Sequence, residues 1–285
     1  MATDEQREFL RDVTRYRRNR PFFYVFLRPL ELSLLRRGRA AFRRPLLDFG
    51  CGDGFFADCL VGRHEIEYGV DTDPSVASAA SGVYRRVFVS PDWSALIPAG
   101  SVGTVLSNSV LEHVRHPEVA LRNIHRVLAP NGRLYATVVL SNWERFLLGG
   151  TLLGTPYRSF MRRMQRHRSL LPADEWSRLM ASAGFRVIAR TFYLAPPDVR
   201  RIELFHYLSL PSLLSRMLTG RWDSLPVRRL NRLYGTWQHP VLPARTDADE
   251  DRAACCLFIA EKTGWEDMRP TGDGMDRATA KDPHP

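Results

Sequence analysis

The chain has few cysteines, no long apolar run and almost no lysine. None of its four cysteines shows C-x-x-C spacing, so we expect neither a disulfide framework nor a zinc site. The longest purely apolar stretch, 253–260, has eight residues, whereas a membrane-spanning helix needs roughly 20. The first thirteen residues include six charged ones, so we expect no signal peptide. These absences predict a cytoplasmic protein without a bound metal.

Basic charge is concentrated in two segments. Residues 1–44 carry 12 basic and 5 acidic side chains, residues 141–240 carry 16 and 6, and residues 45–140 carry 7 and 10. Arginine supplies 39 of the 41 basic residues. A G+C-rich genome explains that preference but does not explain the clustering. Nucleic acid is not an expected partner, because the sequence has charge but no RNA-binding module and no N-P-P-Y-like motif.

Short apolar strands alternate with helices through the centre of the chain. The predicted strands are 45–50, 66–71, 84–90, 102–109, 133–140, 186–194 and 253–262. This alternation predicts a parallel sheet with helices on both faces. An amphipathic helix is predicted over 116–128, with Val119, Ile124, Val127 and Leu128 on its buried face. Residues 7–40 are predicted to be helical, with breaks at Pro21 and Pro29.

A glycine-rich turn follows the first predicted strand. Gly50, Gly52 and Gly54 lie in the sequence LLDFGCGDG, where glycine lets the backbone approach a ligand closely. The spacing differs from the G-x-G-x-x-G of dinucleotide-binding folds. In addition, Asp48 and Asp53 would repel a pyrophosphate. The turn therefore favours a ligand that carries positive charge.

An aspartate ends the second predicted strand. Asp71 lies 21 residues after Gly50, where a carboxylate can accept hydrogen bonds from both hydroxyls of a ribose. Asp73 is better placed to cap the helix that begins at Pro74. We therefore predict that Asp71 binds a ribose and that Asp73 is a helix cap.

These two motifs, joined to SNSVLEHVRHPEVALRNIHRVLAPNGRL at 107–134, carry a family resemblance. The segment from about 45 to 140 resembles the class I S-adenosylmethionine-dependent methyltransferases. Within that class it is most similar to small-molecule methyltransferases with an L-E-H-V motif after strand four. Residues 167–185, HRSLLPADEWSRLMASAGF, resemble a later helix of the same family.

The resemblance implies a set of cofactor-binding residues at or just after the ends of strands one to four. They are Asp48, Gly50, Cys51, Gly52, Asp71, Thr72, Asp92, Trp93, Asn108 and Ser109. Asp48, Gly50, Cys51 and Gly52 would hold the methionine part of S-adenosylmethionine, and Asp71 and Thr72 would hold the ribose. Asp92 and Trp93 would hold the adenine. Asn108 and Ser109 would line the sulfonium. Two positions depart from the family pattern: Gly103 replaces the usual aspartate at the start of strand four, and Pro91 shifts the adenine-loop acid to Asp92.

The sequence does not assign a catalytic base. The candidates are His113 of the L-E-H-V motif, which in the family more often packs or fixes a loop, and His167, which precedes the late helix. Further candidates lie in or near the insertion after strand six: Tyr193, His206, Tyr207 and His239.

The resemblance implies an α/β fold whose seven-stranded, mostly parallel, Rossmann-like sheet has an antiparallel last strand. It divides the chain into an N-terminal helical cap, 1–44, and a methyltransferase domain, 45–262. Residues 198–243 are an insertion expected to cover the substrate and not the cofactor. The polar tail, 263–285, is predicted to be disordered.

The predicted activity is transfer of a methyl group from S-adenosylmethionine to a small-molecule, lipid-linked or glycan-precursor acceptor, with S-adenosylhomocysteine as product. The two basic segments leave three interpretations open. They could cap an anionic, partly apolar acceptor, bind a membrane surface, or form a lid or dimer surface whose arginines face water. The alternative function is a non-catalytic methyltransferase-like binding or scaffold protein, against which intact Gly50, Gly52 and Asp71 argue.

Overall fold

The computed structural model describes residues 3–222 and 249–263. The strands of these residues are, in chain order, β1 Leu46–Phe49, β2 Tyr68–Asp71, β3 Arg86–Val89, β4 Val102–Asn108, β5 Leu128–Val139, β6 Phe185–Tyr193 and β7 Cys255–Lys262. They form one sheet in the order β3-β2-β1-β4-β5-β7-β6. Only β7 runs antiparallel to its neighbours, β5 and β6, in this part of the chain. The predicted fold class is confirmed.

The helices of the same residues are α1 Asp4–Asn19, α2 Arg28–Arg37, α3 Phe55–Leu60, α4 Ala77–Ala80, α5 Pro117–Val127, α6 Asn142–Phe146, α7 Leu148–Leu153, α8 Thr155–Met164, α9 Ala173–Ser182, α10 Pro196–Leu208 and α11 Leu210–Thr219. A 3₁₀ turn, Phe22–Phe26, begins after Pro21 and separates α1 from α2. Pro29 lies in the first turn of α2, where its missing N–H breaks no helical hydrogen bond. Among the helices described, none is long and apolar enough to cross a bilayer.

Helix α5 buries a face that differs slightly from the predicted one. Ile124 and Val127 are buried as expected, together with Ala120 and Leu121, but Val119 is exposed. The buried stripe is centred on Leu121 and Ile124, and with 3.6 residues per turn Val119 lies on the opposite side of the helix. Leu128 is buried too, but as the first residue of β5. The prediction was therefore wrong for Val119 and right for the helix.

The N-terminal segment packs against α10, which lies far away in the sequence. The ring of Phe205 stacks on that of Phe26 with a centroid distance of 4.4 Å and meets the edge of Phe22 at 5.4 Å. Arg36 ties α2 to α1 through the buried carboxylate of Asp12 and to α3 through the carbonyl oxygen of Cys59. The N-terminal helices and α10 therefore form one packed unit over the sheet.

Gly103 has a structural reason to replace the aspartate that is usual in the family. A Cβ atom at this position would lie 2.4 Å from the carbonyl oxygen of Arg43. The Gly103 amide also donates a hydrogen bond of 2.9 Å to the carbonyl of Pro45. The backbone that enters β1 thus crosses the start of β4 so closely that no side chain fits.

The predicted insertion, 198–243, is described as far as residue 222 and includes most of α10 and all of α11. Its remainder and the predicted disordered tail, apart from residue 263, lie outside the described residues. All four cysteines are buried and free.

Candidate active site

The glycine turn joins the end of β1 to the start of α3. Gly50 has φ = +75°, and a Cβ atom there would lie 2.4 Å from the Val110 side chain. Gly52 has φ = +51°, and no atom lies within 4 Å of the position that its Cβ would take. Backbone strain and crowding therefore require glycine at the first position, whereas the second leaves the backbone open to a ligand.

Asp71 holds the end of β2 against this turn. Its carboxylate accepts hydrogen bonds from the amides of Gly52, at 2.9 Å, and Thr72, at 2.7 Å. Asp73 accepts a hydrogen bond of 2.9 Å from the amide of Ser75 and caps the following helical turn, as predicted. The Asp71 carboxylate thus lies beside the glycine turn, and its contact with a ribose stays a prediction.

A cavity of about 330 Å³ lies beside the turn and is called here the glycine-turn cavity. Its lining comes from the N-terminal helices, the glycine turn and the end of β4: Tyr16, Arg20, Tyr24, Arg28, Asp48, Gly50, Cys51, Gly52, Asp53, Phe55, Phe56 and Asn108. The four residues that we predicted for the methionine part of the cofactor, together with Asn108, therefore line one cavity. The sequence did not point to the aromatic and arginine side chains of its N-terminal wall.

The cavity favours a cation next to Asp48. This carboxyl is buried at the end of β1 and accepts a hydrogen bond of 2.6 Å from the hydroxyl of Tyr84. Burial raises its pKa to about 6, against the effect of the Tyr84 hydrogen bond and with a smaller contribution from the charge of Asp71. Burial penalises the ionised carboxylate. A ligand cation beside Asp48 would offset that penalty by attraction, and it would therefore favour ionisation of the carboxyl group.

Cys51 lines the same cavity with a buried thiol. Burial raises the pKa of this thiol well above its usual range, and the negative charges of Asp48 and Asp71 raise it further.

A second cavity of about 360 Å³ is called here the cap cavity. Its walls are mainly apolar and come from the 3₁₀ turn, β5, α8 and α10, with polar groups from the L-E-H-V turn: Phe23, Tyr24, Leu27, Arg28, Ser109, Glu112, His113, Val139, Trp143, Met161, Met164, Gln165, Arg166, His167, Ile202, Glu203 and His206. Tyr24 and Arg28 line both cavities. The two cavities therefore adjoin at these side chains.

A buried carboxylate organises the region where the cavities meet. Glu31 is only 1% exposed and accepts hydrogen bonds from Arg28, at 2.6 Å, and from the hydroxyl of Ser109, at 3.0 Å. It also accepts from the Asn108 amide and the Tyr193 hydroxyl, each at 3.1 Å. The predicted sulfonium-side residues, Asn108 and Ser109, are thus fixed by a residue that the sequence analysis missed. Its one sequence signal is an Arg–Glu pair at i, i+3 in α2.

Glu112 lines the cap cavity and has one carboxyl oxygen without a hydrogen-bond partner in the described part of the chain. The residue is fully buried, and its Oε1 accepts a hydrogen bond of 3.3 Å from the amide of Val139. Its Oε2 is buried and has no hydrogen-bond partner among the described residues. Burial raises the pKa of Glu112 to about 8, so the carboxyl is mainly protonated at neutral pH and has a proton to donate.

The two predicted histidines lie together at the same cavity. The ring centroids of His113 and His167 are 5.1 Å apart and the rings are stacked. His113 Nδ1 lies 3.2 Å from the carbonyl oxygen of Arg166. Since a carbonyl only accepts, Nδ1 carries the proton and Nε2 keeps its lone pair. His167 Nδ1 is buried without a partner in the described part of the chain.

Both histidines are biased towards the neutral form. Burial lowers the pKa of His113, against the hydrogen bond to the Arg166 carbonyl. Burial, together with the nearby His113, lowers the pKa of His167 to about 3. His167 is therefore an uncharged hydrogen-bonding group at physiological pH. The catalytic role of either ring stays a prediction.

Three of the other predicted residues, Thr72, Asp92 and Trp93, line neither cavity. Thr72 and Asp92 are exposed, whereas Trp93 is buried in the core against Phe49, with a centroid distance of 5.6 Å. Adenine contacts of Asp92 and Trp93 stay predictions. The hydroxyl of Tyr207 forms a hydrogen bond with the hydroxyl of Tyr157. His206 lines the cap cavity. His239 lies outside the described residues. In residues 3–222 and 249–263, no three His, Cys, Asp or Glu side chains are grouped as a metal site.

Comparison with known proteins identifies the family. Residues 15–190, more than half of the chain, match the profile of a methyltransferase domain family. The chain belongs to the class I S-adenosylmethionine-dependent methyltransferases. Narrower placement among the small-molecule enzymes with an L-E-H-V motif stays a prediction.

Two curated methyltransferases are similar in sequence. A malonyl-[acyl-carrier protein] O-methyltransferase of Paenibacillus sp. is 26% identical over 183 residues, which cover 58% of this chain and 65% of the relative. A ubiquinone biosynthesis O-methyltransferase of Chromobacterium violaceum is 28% identical over 169 residues, covering 55% of this chain and 71% of the relative. The chain thus matches about two thirds of the length of each of these methyltransferases.

The fold of a solved methyltransferase matches over nearly the whole chain. This protein is an S-adenosylmethionine-dependent methyltransferase and possible histamine N-methyltransferase from Thermotoga maritima. It superposes with a TM-score of 0.52 at 18% identity and covers 90% of this chain and 97% of its own. At this identity the match supports the fold alone.

Proposed function

We propose that this methyltransferase binds S-adenosylmethionine in the glycine-turn cavity and a small, partly apolar acceptor in the cap cavity. The observation that carries the proposal is that the two cavities adjoin at Tyr24 and Arg28, beside the end of β4. A donor and an acceptor held in adjoining cavities can be aligned for direct transfer, and such positioning supplies much of the catalysis of a displacement reaction.

The glycine-turn cavity fits the proposed cofactor. Asp48 supplies negative charge for the cationic part, and Gly52 offers an open stretch of backbone. Asp71 extends the site from the turn towards the end of β2, where a ribose would lie. Thr72, Asp92 and Trp93 belong to the same proposal but lie outside the cavity lining. S-Adenosylmethionine supplies an activated methyl group on a sulfonium when bound.

The cap cavity fits an acceptor with both apolar and polar parts. Leu27, Trp143 and Ile202 provide apolar wall. The buried Glu112 Oε2 and His167 Nδ1 have no partner among the described residues. Burying such atoms unpaired is costly, so an acceptor group that reached them on binding would recover part of that cost. The guanidinium groups of Arg28 and Arg166 also favour an anionic group on the acceptor.

His113 is the proposed proton acceptor. Its Nε2 keeps a lone pair, because Nδ1 donates to the Arg166 carbonyl. For an oxygen or nitrogen acceptor, the nucleophile forms a bond to the methyl carbon while the carbon–sulfur bond breaks towards sulfur. The proton released from the acceptor passes to His113 Nε2. The Glu112 carboxyl donates a hydrogen bond that orients the acceptor and does not take its proton.

The relatives support an acceptor of small-molecule type. One is named for methylating malonyl-[acyl-carrier protein] and another for ubiquinone biosynthesis. Helix α10 contributes Ile202, Glu203 and His206 to the cap cavity and no residue to the glycine-turn cavity. This supports the proposal that the insertion covers the acceptor and not the cofactor. Family membership favours an enzyme over the non-catalytic scaffold.

Isothermal titration calorimetry with S-adenosylhomocysteine tests the cofactor site. We expect Asp71→Ala to weaken binding at least tenfold, because each lost charge-assisted hydrogen bond costs about 1.5–3 kcal/mol. Asp73→Ala is the matched control, since it removes a neighbouring exposed carboxylate that only caps a turn. Its affinity should stay within about threefold of wild type.

Two results would overturn the proposal. The first is wild-type affinity of the Asp71→Ala protein with an unchanged far-UV circular dichroism spectrum. The second is binding without turnover, measured as no S-adenosylhomocysteine formed from S-adenosylmethionine across fractionated metabolite and lipid extracts. That second result would support the scaffold alternative.

A further inference from the structure

Large exposed apolar side chains are concentrated on four helices. Among the described residues, twelve of the sixteen lie on α7, α8, α10 and α11: Leu148, Leu152, Leu153, Phe160, Met164, Leu204, Tyr207, Leu210, Leu213, Leu214, Met217 and Leu218. Exposed apolar residues grouped on neighbouring helices mark a binding face more often than scattered single residues do.

Helix α11 is amphipathic, but it buries its polar face and exposes its apolar face, which is the reverse of a normal surface helix. It buries Ser212 and Ser215, whereas Met217 is 74% exposed and Leu218 is 83% exposed. The buried hydroxyls donate hydrogen bonds to backbone carbonyls, Ser212 to Ser209 at 2.7 Å and Ser215 to Arg221 at 2.8 Å. The polar side is therefore satisfied inside the protein, and the apolar side faces outwards.

The four helices are connected. Glu203 on α10 accepts hydrogen bonds from the amides of Leu148, at 2.5 Å, and Gly149, at 3.0 Å, at the start of α7. The hydroxyls of Tyr157 on α8 and Tyr207 on α10 are 2.8 Å apart. Helix α11 begins two residues after α10 ends. The exposed apolar residues thus belong to one packed group of helices.

Unpaired positive charge lies on the same helices. Residues 148–168 contain five arginines and no aspartate or glutamate. Arg163, Arg166, Arg216 and Arg221 are exposed, and none of them forms an ion pair within residues 3–222 and 249–263. The other basic segment, at the N-terminus, is different, because its arginines pair widely with carboxylates.

We propose that these exposed apolar residues and the neighbouring arginines form a face that binds the surface of an anionic lipid membrane. Apolar side chains would enter the headgroup boundary while the guanidinium groups contact lipid phosphates. Charge favours this occupant over a second copy of the chain, because two such faces would bring like charges together.

The proposed face adjoins the entrance of the cap cavity. Met164 on α8 and His206 on α10 line that cavity, and both helices carry exposed apolar residues of the face. Membrane binding would therefore present the cavity to molecules dissolved in the lipid, an inference that rests on the function proposed above. The acceptor class that fits is an amphiphile with an anionic or polar head.

Vesicle flotation of the full chain tests the face. The probes are vesicles of phosphatidylcholine alone and of phosphatidylcholine mixed with phosphatidylglycerol. We expect binding to the anionic vesicles at least tenfold stronger than to the neutral ones, and weaker binding as salt is raised. Met217→Asp/Leu218→Asp should reduce the partition coefficient at least tenfold, because both side chains lose apolar burial and add negative charge.

Val119→Asp/Ile188→Asp is the matched control, since it changes two exposed apolar residues outside the face. It should bind vesicles within about twofold of wild type. The proposal is overturned if wild type does not float with anionic vesicles, or if the Met217→Asp/Leu218→Asp variant floats equally well. It is also overturned if wild type is a dimer by sedimentation velocity and this variant is a monomer.

Calorimetry with S-adenosylhomocysteine separates this proposal from the proposed function. Both double variants should keep wild-type affinity, because neither touches the glycine-turn cavity. If wild type binds S-adenosylhomocysteine but not anionic vesicles, the membrane-binding face is contradicted and the proposed function is not. If wild type fails to bind S-adenosylhomocysteine, the proposed function is contradicted and the membrane-binding face is not.

Discussion

Arg28 donates a hydrogen bond of 2.6 Å to the buried carboxylate of Glu31, and Arg28 forms part of the wall of both cavities. Burial disfavours the charge on Arg28, but Glu31 more than compensates, and the net effect raises the pKa of the guanidinium. Glu31 therefore keeps the Arg28 guanidinium charged although the side chains of both residues are largely buried.

This pair predicts strong energetic coupling. Arg28→Met and Glu31→Gln should each lower the free energy of unfolding by about 3 kcal/mol, because each leaves a buried charge without its partner. The double variant should cost less than the sum of the two, with a coupling energy of about 2 kcal/mol. Urea denaturation of the four proteins measures the cycle. Additive effects would show that the pair is not a coupled unit.

Asp48 predicts a pH dependence of S-adenosylmethionine binding. Its pKa is about 6 without a ligand, and the cationic ligand requires the ionised carboxylate. Affinity should therefore be greatest above that pKa and fall as pH decreases through it, by up to about tenfold per pH unit.

Calorimetry between about pH 5 and pH 8 checks the Asp48 prediction. Asp48→Asn should bind more weakly at neutral pH and lose this dependence, because the amide does not titrate. A wild-type affinity that is constant across the range would contradict the role given to Asp48.

Glu112 predicts a pH dependence of stability with no ligand present. Its pKa is raised from 4.5 to about 8 on folding, so the folded state holds a proton that the unfolded state releases. Stability is unaffected by this group below about pH 4.5 and decreases as pH rises from there to about 8, by up to about 1.4 kcal/mol per pH unit.

Glu112→Gln provides the comparison. The amide cannot ionise and keeps a donor near the position of Oε2, so the variant should be more stable than wild type at about pH 8. Its stability profile should lack the decrease that wild type shows. Parallel profiles of the two proteins, from thermal unfolding followed by circular dichroism, would refute the assignment.

Arg36 predicts that the N-terminal cap depends on one buried ion pair. Asp12 is only 1% exposed, and Arg36 also donates a hydrogen bond of 2.7 Å to the Cys59 carbonyl of α3. Arg36→Ala should cost about 3 kcal/mol, because Asp12 is left buried without a counter-charge. Arg37→Ala is the control, since Arg37 pairs with Glu5 at the surface and should cost less than about 1 kcal/mol. Equal losses in the two variants would contradict the prediction.

The sequence was sufficient to predict the fold, and several of the predicted site residues line one cavity at the ends of the strands. The alternation of strands and helices predicts the parallel sheet. Glycine occurs at positions 50 and 52 because the backbone has a positive φ angle at both. Asp48 and Asn108 line the glycine-turn cavity because parallel strands end at a common edge. These features depend on contacts near in sequence or on a regular topology.

The remaining site residues depend on contacts that no local pattern reveals. Glu31 reaches Tyr193, which is 162 residues away, and Glu112 meets the amide of Val139 on another strand. Helix faces show the same limit, since Val119 is exposed although an apolar residue was expected to be buried, and Ser212 is buried although it is polar. A helix periodicity predicts that one face is buried, but the neighbouring elements decide which face.

The raised pKa of the Cys51 thiol has a consequence for how long the enzyme stays active. In the proposed complex this sulfur lies in the same cavity as an electrophilic methyl donor. A thiolate there would be a competing nucleophile, and one alkylation event would inactivate the site for good. Because burial and two nearby carboxylates keep the sulfur protonated, it is a poor nucleophile. In the proposed complex, the burial of the Cys51 thiol would thus protect the chain from methylating itself.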